Sequence, residues 1–182
     1  SYFSSKIIEF ISTDEHEILG KLTSSENIYS ITPKTTYAWQ GEISVIKNSL
    51  ADIDGHIHFE YVIPRMGKRV DVLLVIQNVI FIIEFKVGSD TYDASSITQL
   101  IDYTLDLKNF HEGSHDQIIC PILIATEAHE TDFDIALSED NIFEPSILSE
   151  LGSLHPINQI KDSISVFLSG LGFEIIDGPE IE

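Results

Sequence analysis

Apolar positions recur first at helical spacing and then in alternation. Phe3, Ile7, Ile8 and Ile11 form one short patch, and Ile18, Leu19 and Leu22 form a second at helical spacing. Ser12 followed by Glu15 has the form of a capping box that starts the second patch as a helix. The Ser/Thr-rich stretch 24–36, which holds Pro33, reads as a loop. Thr35 or Thr36 then caps a helix to about Leu50, with Trp39, Ile43, Ile46 and Leu50 on one face. From residue 57 the period shortens to two. Ile57, Phe59, Tyr61 and Ile63 alternate with His58, Glu60 and Val62, as expected of a half-buried strand. Pro64-Arg65-Met66-Gly67-Lys68 reads as a turn. Residues 69–76 and 79–87 are Val/Ile-rich runs separated by Gln77-Asn78, which predicts a tight hairpin. Helical spacing returns from Ala94 to about Phe110 through Ile97, Leu100, Ile101, Leu105 and Leu107. Ile118–Ala125 is a near-continuous apolar run, expected to be a buried strand parallel to a neighbour across the helix. The order helix, three strands, helix, strand predicts an α/β sandwich around a central mixed sheet.

The remainder is less regular. Residues 127–150 carry eight acidic side chains and no basic one, and read as a solvated loop with a short helix. A last helix is expected over about 157–169, with a short strand at Phe173-Glu174-Ile175-Ile176. This divides the chain into a main domain over 1–126, an acidic linker over 127–151 and an appendage over 152–182.

Composition adds two constraints. The single cysteine, Cys120, permits no intrachain disulfide and fits a reducing compartment. No run of about 18 apolar residues is present to span a membrane, and the first residues lack the pattern of a signal peptide. The expectation is a cytoplasmic protein that does not engage a membrane. The formal charge is −20, with nine basic and seventeen acidic residues in 1–126 against one and thirteen in 127–182. The acidic surplus is therefore concentrated in the C-terminal third, whereas Arg65, Lys68, Arg69 and Lys86 cluster around the hairpin.

The hairpin brings chemistry together. If Gln77 and Asn78 form a two-residue loop, Ile76 pairs with Val79 and Asp71 falls opposite Glu84. Opposite residues on antiparallel strands share a face, with Cβ atoms about 5 Å apart. Lys86 and Arg69 land on that same face, while Phe85 points into the core. Two carboxylates, a lysine and an arginine are costly to bury together unless a hard divalent cation neutralises them. The lysine would then orient or deprotonate a water and steady charge developing on phosphorus. A purely structural ion-pair network of Asp71, Glu84, Lys86 and Arg69 is the competing reading of the same spacing.

Asp71, twelve intervening residues and then Glu84-Phe85-Lys86 resembles the D…ExK signature of PD-(D/E)XK phosphodiesterases. Gln99 and Tyr103 match the Q-x-x-x-Y helix motif of the RecB and phage-exonuclease branch. The text from Ile63 to Asp71, with Asp102-Tyr103 and Leu105 to His111, is similar to the nuclease-like N-terminal region of bacterial helicase-like ATPases. The resemblance covers about residues 1–126. It implies a restriction-endonuclease-like fold and metal-dependent hydrolysis of nucleic acid, DNA rather than RNA. It further implies Mg²⁺ or Mn²⁺ held by Asp71, Glu84 and the Phe85 carbonyl, and Lys86 as the catalytic lysine. Gln99 and Tyr103 would support substrate or the site, with a core-edge aromatic as the equal alternative for Tyr103. Glu42, bordering the buried stripe of its helix, stands where many members carry a further metal-binding glutamate, with a solvated Glu42 as the alternative and Glu60 as a rival carboxylate. Arg65, Lys68 and Arg69 would meet phosphate, and a helicase-like ATPase is the implied partner. The runner-up is a nuclease-fold module that binds DNA or protein with weak or absent catalysis.

The C-terminal text, from Gly152-Ser153-Leu154-His155-Pro156-Ile157 to Gly178-Pro179-Glu180-Ile181-Glu182, resembles a segment of phenylalanyl-tRNA synthetase α chains. That segment includes an element serving dimerisation, so a homodimer is a further expectation. The motifs for ATP and phenylalanine are missing, which argues against synthetase activity; a tRNA-related decoy would instead associate with synthetase subunits. Three smaller expectations complete the reading. His111 and His115 make local hydrogen bonds rather than a metal pair, His56 and His58 lie at the surface, and Cys120 is an inert core thiol.

Overall fold

The computed structural model describes residues 1–25, 31–129, 141–142, 146–149, 164–166, 168–169 and 171. The fold is mixed α/β. Strand β1 (Phe3–Lys6) leads into helices α1 (Ile7–Ser12), α2 (Glu15–Ser25) and α3 (Pro33–Ser49). Strands β2 (His56–Val62), β3 (Arg69–Ile76) and β4 (Val79–Lys86) form an antiparallel meander. Helix α4 (Ala94–Phe110) crosses back to β5 (Ile118–Ala125), which runs parallel to β4 and to β6 (Ser146–Ser149). The six strands lie side by side in chain order. The predicted helix, three strands, helix and strand are all present, and the predicted parallel partner of β5 is β4.

Each face of the sheet has its own core. Helices α1–α3 cover one face, where Phe10, Ile18, Trp39, Ile43 and Ile46 pack on Phe59, Phe81, Ile83 and Ile122. Ile164 and Leu168 belong to this same cluster. On the other face Leu100 and Leu107 of α4 pack on Leu73, Ile80, Ile82 and Leu123. Side chains of β4 are therefore buried on both sides, as its unbroken apolar run requires.

Some local expectations need correction. The cap of α2 is Asp14 rather than Ser12: its carboxylate accepts the His16 N–H at 2.8 Å, while the Ser12 hydroxyl turns back to the Glu9 carbonyl. Helix α3 begins at Pro33 with Thr32 as cap, accepting the Thr35 N–H at 3.2 Å, and not at Thr35 or Thr36. A proline in the first helical position forfeits no hydrogen bond and presets φ, so the helix starts there. Part of the predicted acidic loop, Ser146–Ser149, is a strand completing the parallel side of the sheet. The short helix expected within 127–150 lies largely outside the described residues, as do most of the linker and appendage and the strand expected at 173–176. Within the expected last helix, residues 164–166 and 168–169 are helical.

One irregularity shapes the site. Glu60, inside β2, has φ 51°, a conformation that costs a non-glycine residue roughly 1–2 kcal/mol. Ladder pairing runs to Phe59↔Val72 and resumes at Tyr61↔Val70, skipping Glu60 and Asp71. Inward faces exchange at the same point. Phe59 and Val72 lie in the α3-side core, whereas Tyr61 and Val70 pack in the α4-side core. Strand β4 makes no such exchange, since Phe81, Ile83 and Phe85 all face α3. Strands β2 and β3 thus rotate together away from β4, and β3–β4 pairing ends at Val72↔Ile83.

Candidate active site

The hairpin register is the predicted one, with Ile76↔Val79 through Val72↔Ile83 in line. Gln77 opens its two-residue turn at φ 54°, the positive value that primed hairpin turns require at that position. Continued by one step, this register puts Asp71 beside Glu84, where the strands part. The Asp71 carboxylate fills the gap by accepting the Phe85 N–H at 2.8 Å. A strand residue presents its N–H and C=O to the same edge, so the Phe85 carbonyl opens on the same side, while its ring is buried in the α3-side core.

Around this gap the predicted residues converge. Lys86 Nζ lies 3.0 Å from Glu84 Oε1 and 3.4 Å from Gln99 Oε1. Gln99 Nε2 donates to Glu84 Oε1 at 2.9 Å and to the Tyr103 hydroxyl at 2.8 Å. The i, i+4 pair on α4 therefore holds both the carboxylate and the amine, anchored by the Asp93 cap that accepts the Ser96 N–H at 2.8 Å. Glu42 enters from α3. It is only 4% exposed, which removes the solvated alternative, and it sits among the charges of Asp71, Glu60 and Glu84.

The electrostatics are those of acids crowded out of water. Burial and the Glu84 charge push the Asp71 carboxyl up to about 8, against the Phe85 N–H, Lys86 and Arg69. Burial also raises Glu84, with Lys86 opposing. Burial and then Asp71, Glu60 and Glu84 hold Glu42 well above the usual carboxylate range. Burial works against the Lys86 charge, but Glu84 and Asp71 outweigh it and keep the ammonium above its ordinary value. Two buried oxygens, Glu42 Oε2 and Glu84 Oε2, have no hydrogen-bond partner; such an atom costs about 1–3 kcal/mol, and more if charged. Among the described residues, no three His, Cys, Asp or Glu side chains form a ready set of metal ligands. The donors on hand are carboxylate and carbonyl oxygens, a set that suits a hard cation retaining several waters better than a closed cage.

The basic residues are less free than the sequence implied. Arg69 pairs with Glu60, donates to the Tyr2 hydroxyl at 2.7 Å and stacks 4.9 Å from the Tyr2 ring centre. Lys68 pairs with Asp106 at 2.7 Å and lies 5.8 Å from the centre of the Tyr103 ring. Arg65 is exposed in the β2–β3 turn. Sequence reasoning named Glu60 only as a rival carboxylate and missed its anchor, the Trp39 indole, whose Nε1 donates to Glu60 Oε1 at 2.7 Å. Extending the β2–β3 ladder across the 63–68 turn would have set Glu60 opposite Asp71, but no two-residue loop fixes that register.

The other polar candidates are local. His111 Nδ1 lies 2.6 Å from the Ser114 hydroxyl, and His115 Nε2 lies 3.1 Å from the Asn109 carbonyl, as expected. His56 is exposed, but His58 is half-buried against the Tyr61 ring, a correction to its surface placement. Cys120 is buried, and burial raises its thiol pKa far above the ordinary value. No described helix is long and apolar enough to cross a membrane.

No profile of a known protein family matches the chain. It is similar over short stretches to phenylalanine–tRNA ligase alpha subunits. Identity is 38% over 48 residues with that of Desulforudis audaxviator, covering 26% of this chain and 14% of the subunit. With that of Lactobacillus johnsonii it is 40% over 60 residues, covering 33% and 15%. With that of Lactobacillus acidophilus it is 30% over 86 residues, covering 47% and 23%. The chain thus spans less than a quarter of the length of each of these three subunits.

Proposed function

We propose that the chain is a divalent-metal-dependent nuclease of the PD-(D/E)XK type, acting on DNA in preference to RNA. The observation that carries this reading is the pair of buried, unpartnered oxygens of Glu42 and Glu84, two acids that share a charge environment with an Asp71 carboxyl raised to about 8. Acids so arranged are stabilised by a cation, and Mg²⁺ or Mn²⁺ fits an all-oxygen donor set of Asp71, Glu84, Glu42 and the Phe85 carbonyl. When bound, the cation supplies Lewis acidity toward a phosphoryl oxygen and offsets the charge of the scissile phosphate.

The remaining work falls to the chain. Lys86, held by Glu84 and Gln99, presents its ammonium to the attacking water or to the negative charge developing on phosphate. Gln99 fixes Glu84 and Tyr103 at once, so the helix keeps the carboxylate and the lysine in register. Arg65 and the rim of the β2–β3 turn would meet the backbone of the nucleic acid.

The test is cleavage of labelled single-stranded DNA, duplex DNA and RNA with Mg²⁺ or Mn²⁺, comparing wild type with Lys86→Ala and Asp71→Ala. Metal-dependent cleavage lost by at least about 100-fold in both variants is expected. Cleavage that survives both substitutions refutes the assignment.

A second reading has its own support in the net charge of −20 and the internal pairing of Arg69 and Lys68. Here the same architecture serves as a binding module with weak or no catalysis, alone or beside a helicase-like ATPase. DNA binding of equal strength in wild type and Lys86→Ala, with no cleavage in either, favours it. The ligase-like stretches allow association with synthetase subunits or a homodimer; affinity capture with a purified ligase alpha subunit and sedimentation of the chain alone test these.

A further inference from the structure

We propose that Glu60 is a positioning residue: with Trp39 and Arg69 it locks the bend that separates β3 from β4 and thereby shapes the cation seat. This inference rests on the metal-dependent reading above and adds to it a group that does not itself hold the ion.

Three observations converge on it. Glu60 takes a left-handed backbone in mid-strand, at the one position where the β2–β3 ladder is interrupted. The inward faces of β2 and β3 exchange cores across that same step, while β4 runs straight. Such a bend opens the space at which the Asp71 carboxylate, in place of a ladder partner, takes the Phe85 N–H. A strained residue persists only where its surroundings over-determine it, and Glu60 is held from two sides. The indole of Trp39, on α3, grips one carboxylate oxygen at 2.7 Å, and Arg69, on β3, takes the other. Arg69 is steadied in turn by Tyr2, just ahead of β1. Both oxygens of Glu60 are therefore engaged, whereas Glu42 Oε2 and Glu84 Oε2 have no hydrogen-bond partner. Glu42 stands three residues along α3 from Trp39, so the bond that holds Glu60 also ties the helix carrying Glu42 to the bend. On this reading the acids divide into two groups: Asp71 and Glu84, with Glu42 beside them, to meet a hydrated cation, and Glu60 to set where they stand.

The experiment titrates Mn²⁺ into the full chain and reads the concentration that gives half of the thermal shift, with cleavage kinetics measured in parallel. Glu60→Ala is expected to raise the half-saturating Mn²⁺ about tenfold, with the turnover rate at saturating Mn²⁺ within about threefold of wild type. Glu60→Gln retains an acceptor for Trp39 and should recover most of the loss. Trp39→Phe keeps the charge of Glu60 and removes only its anchor, so a role through charge alone predicts no change there; positioning predicts a rise of at least about threefold. Unchanged half-saturation in Glu60→Ala or in Trp39→Phe overturns the proposal, as does a fall in turnover with Mn²⁺ half-saturation unaffected. If Glu60→Ala does not fold, the other two variants decide it by the same criteria. A wild-type chain that shows no Mn²⁺ shift sinks the cation reading itself, whereas a normal wild-type shift with indifferent variants sinks only the role of Glu60.

Discussion

Replacing Asp71 by asparagine should make the metal-free protein more stable at neutral pH and change its response to pH. Asp71 titrates near 8 when folded, against an ordinary value of 3.8. It therefore binds its proton more tightly in the folded chain than in the unfolded one. Stability falls as pH rises between those two values, and the loss is complete above about 8. Each pH unit in that window is worth at most about 1.4 kcal/mol, so the span from pH 5.5 to 7.5 has a ceiling of about 2.7 kcal/mol. Asp71 is half-buried, so solvent screens part of the effect and brings the expected difference to about 1–2 kcal/mol. For a chain of this size that corresponds to roughly 3–6 °C in Tm. The asparagine keeps an acceptor for the Phe85 N–H and removes the charge that also raises Glu42. Scanning calorimetry in EDTA at pH 5.5 and 7.5 checks this directly. The Tm of Asp71→Asn minus that of wild type should grow by those few degrees between the two pH values. Repulsion between Asp71 and Glu42 is relieved only in the variant, which widens the difference in the same direction. Added Mn²⁺ should then raise wild type more than the variant. Parallel decline of the two proteins with pH would refute the argument, because Asp71 would then titrate alike in both states.

Further outcomes are expected elsewhere in the molecule. Thr32→Ala removes the α3 cap and should cost about 1 kcal/mol, read as a denaturation midpoint shifted without a change of slope; an unchanged midpoint would place the cap elsewhere. Cys120 should react with a thiol reagent at a rate limited by unfolding, and fast native labelling would contradict its burial. Phe81→Ala, in the core under α3, should lose about 3–5 kcal/mol by calorimetry, and a loss below about 1 kcal/mol would mean the site is loosely packed. DNA binding by the Lys86→Ala protein, followed by anisotropy, should depend on Ca²⁺ or Mg²⁺ and weaken only shallowly with NaCl; a steep metal-independent salt slope would mean a basic surface does the binding.

The parts of the fold legible in the sequence are those whose pattern is long or whose turn is short. Strands β3 and β4 are joined by two residues, so their register followed from counting and the approach of Asp71 to Glu84 with it. Helix α4 and strand β5 carry enough apolar positions to mark their own limits. Strand β1, with the text Phe-Ser-Ser-Lys, has a single apolar residue and no visible alternation; it exists because β2 offers it an edge. Strand β6 likewise owes its place to the free side of β5. Both are tertiary decisions, and a local pattern does not contain them. The bend at Glu60 is hidden for a related reason. A glutamate with positive φ has no sequence signature, and the bonds that hold it come from residues 21 positions earlier and 9 positions later. Ser12 and Thr35 failed as caps because stronger arrangements stood nearby, an aspartate two residues from the first and a Thr-Pro pair just ahead of the second.

The strongest objection to a nucleic-acid substrate is charge, and the structure sharpens it. Lys86, Lys68 and Arg69, three of the cations near the hairpin, are each already matched to an acid: Glu84, Asp106 and Glu60. Such pairing leaves little fixed positive potential with which to draw in a phosphate backbone. Yet the same region holds three acids whose ionisation burial opposes and two acidic oxygens without partners. Without a cation, the favourable state at neutral pH is a partly protonated cluster that repels phosphate only moderately. On the proposed reading a bound divalent cation would let the acids ionise, its charge would offset theirs, and it would offer a coordination position to a phosphoryl oxygen. The attraction that other nucleic-acid proteins build from lysines and arginines would here be conditional on the metal. If the proposed function holds, an acidic chain of this kind would stay off nucleic acid until it is loaded, and the excess of acid would be a condition on when the site engages rather than a contradiction.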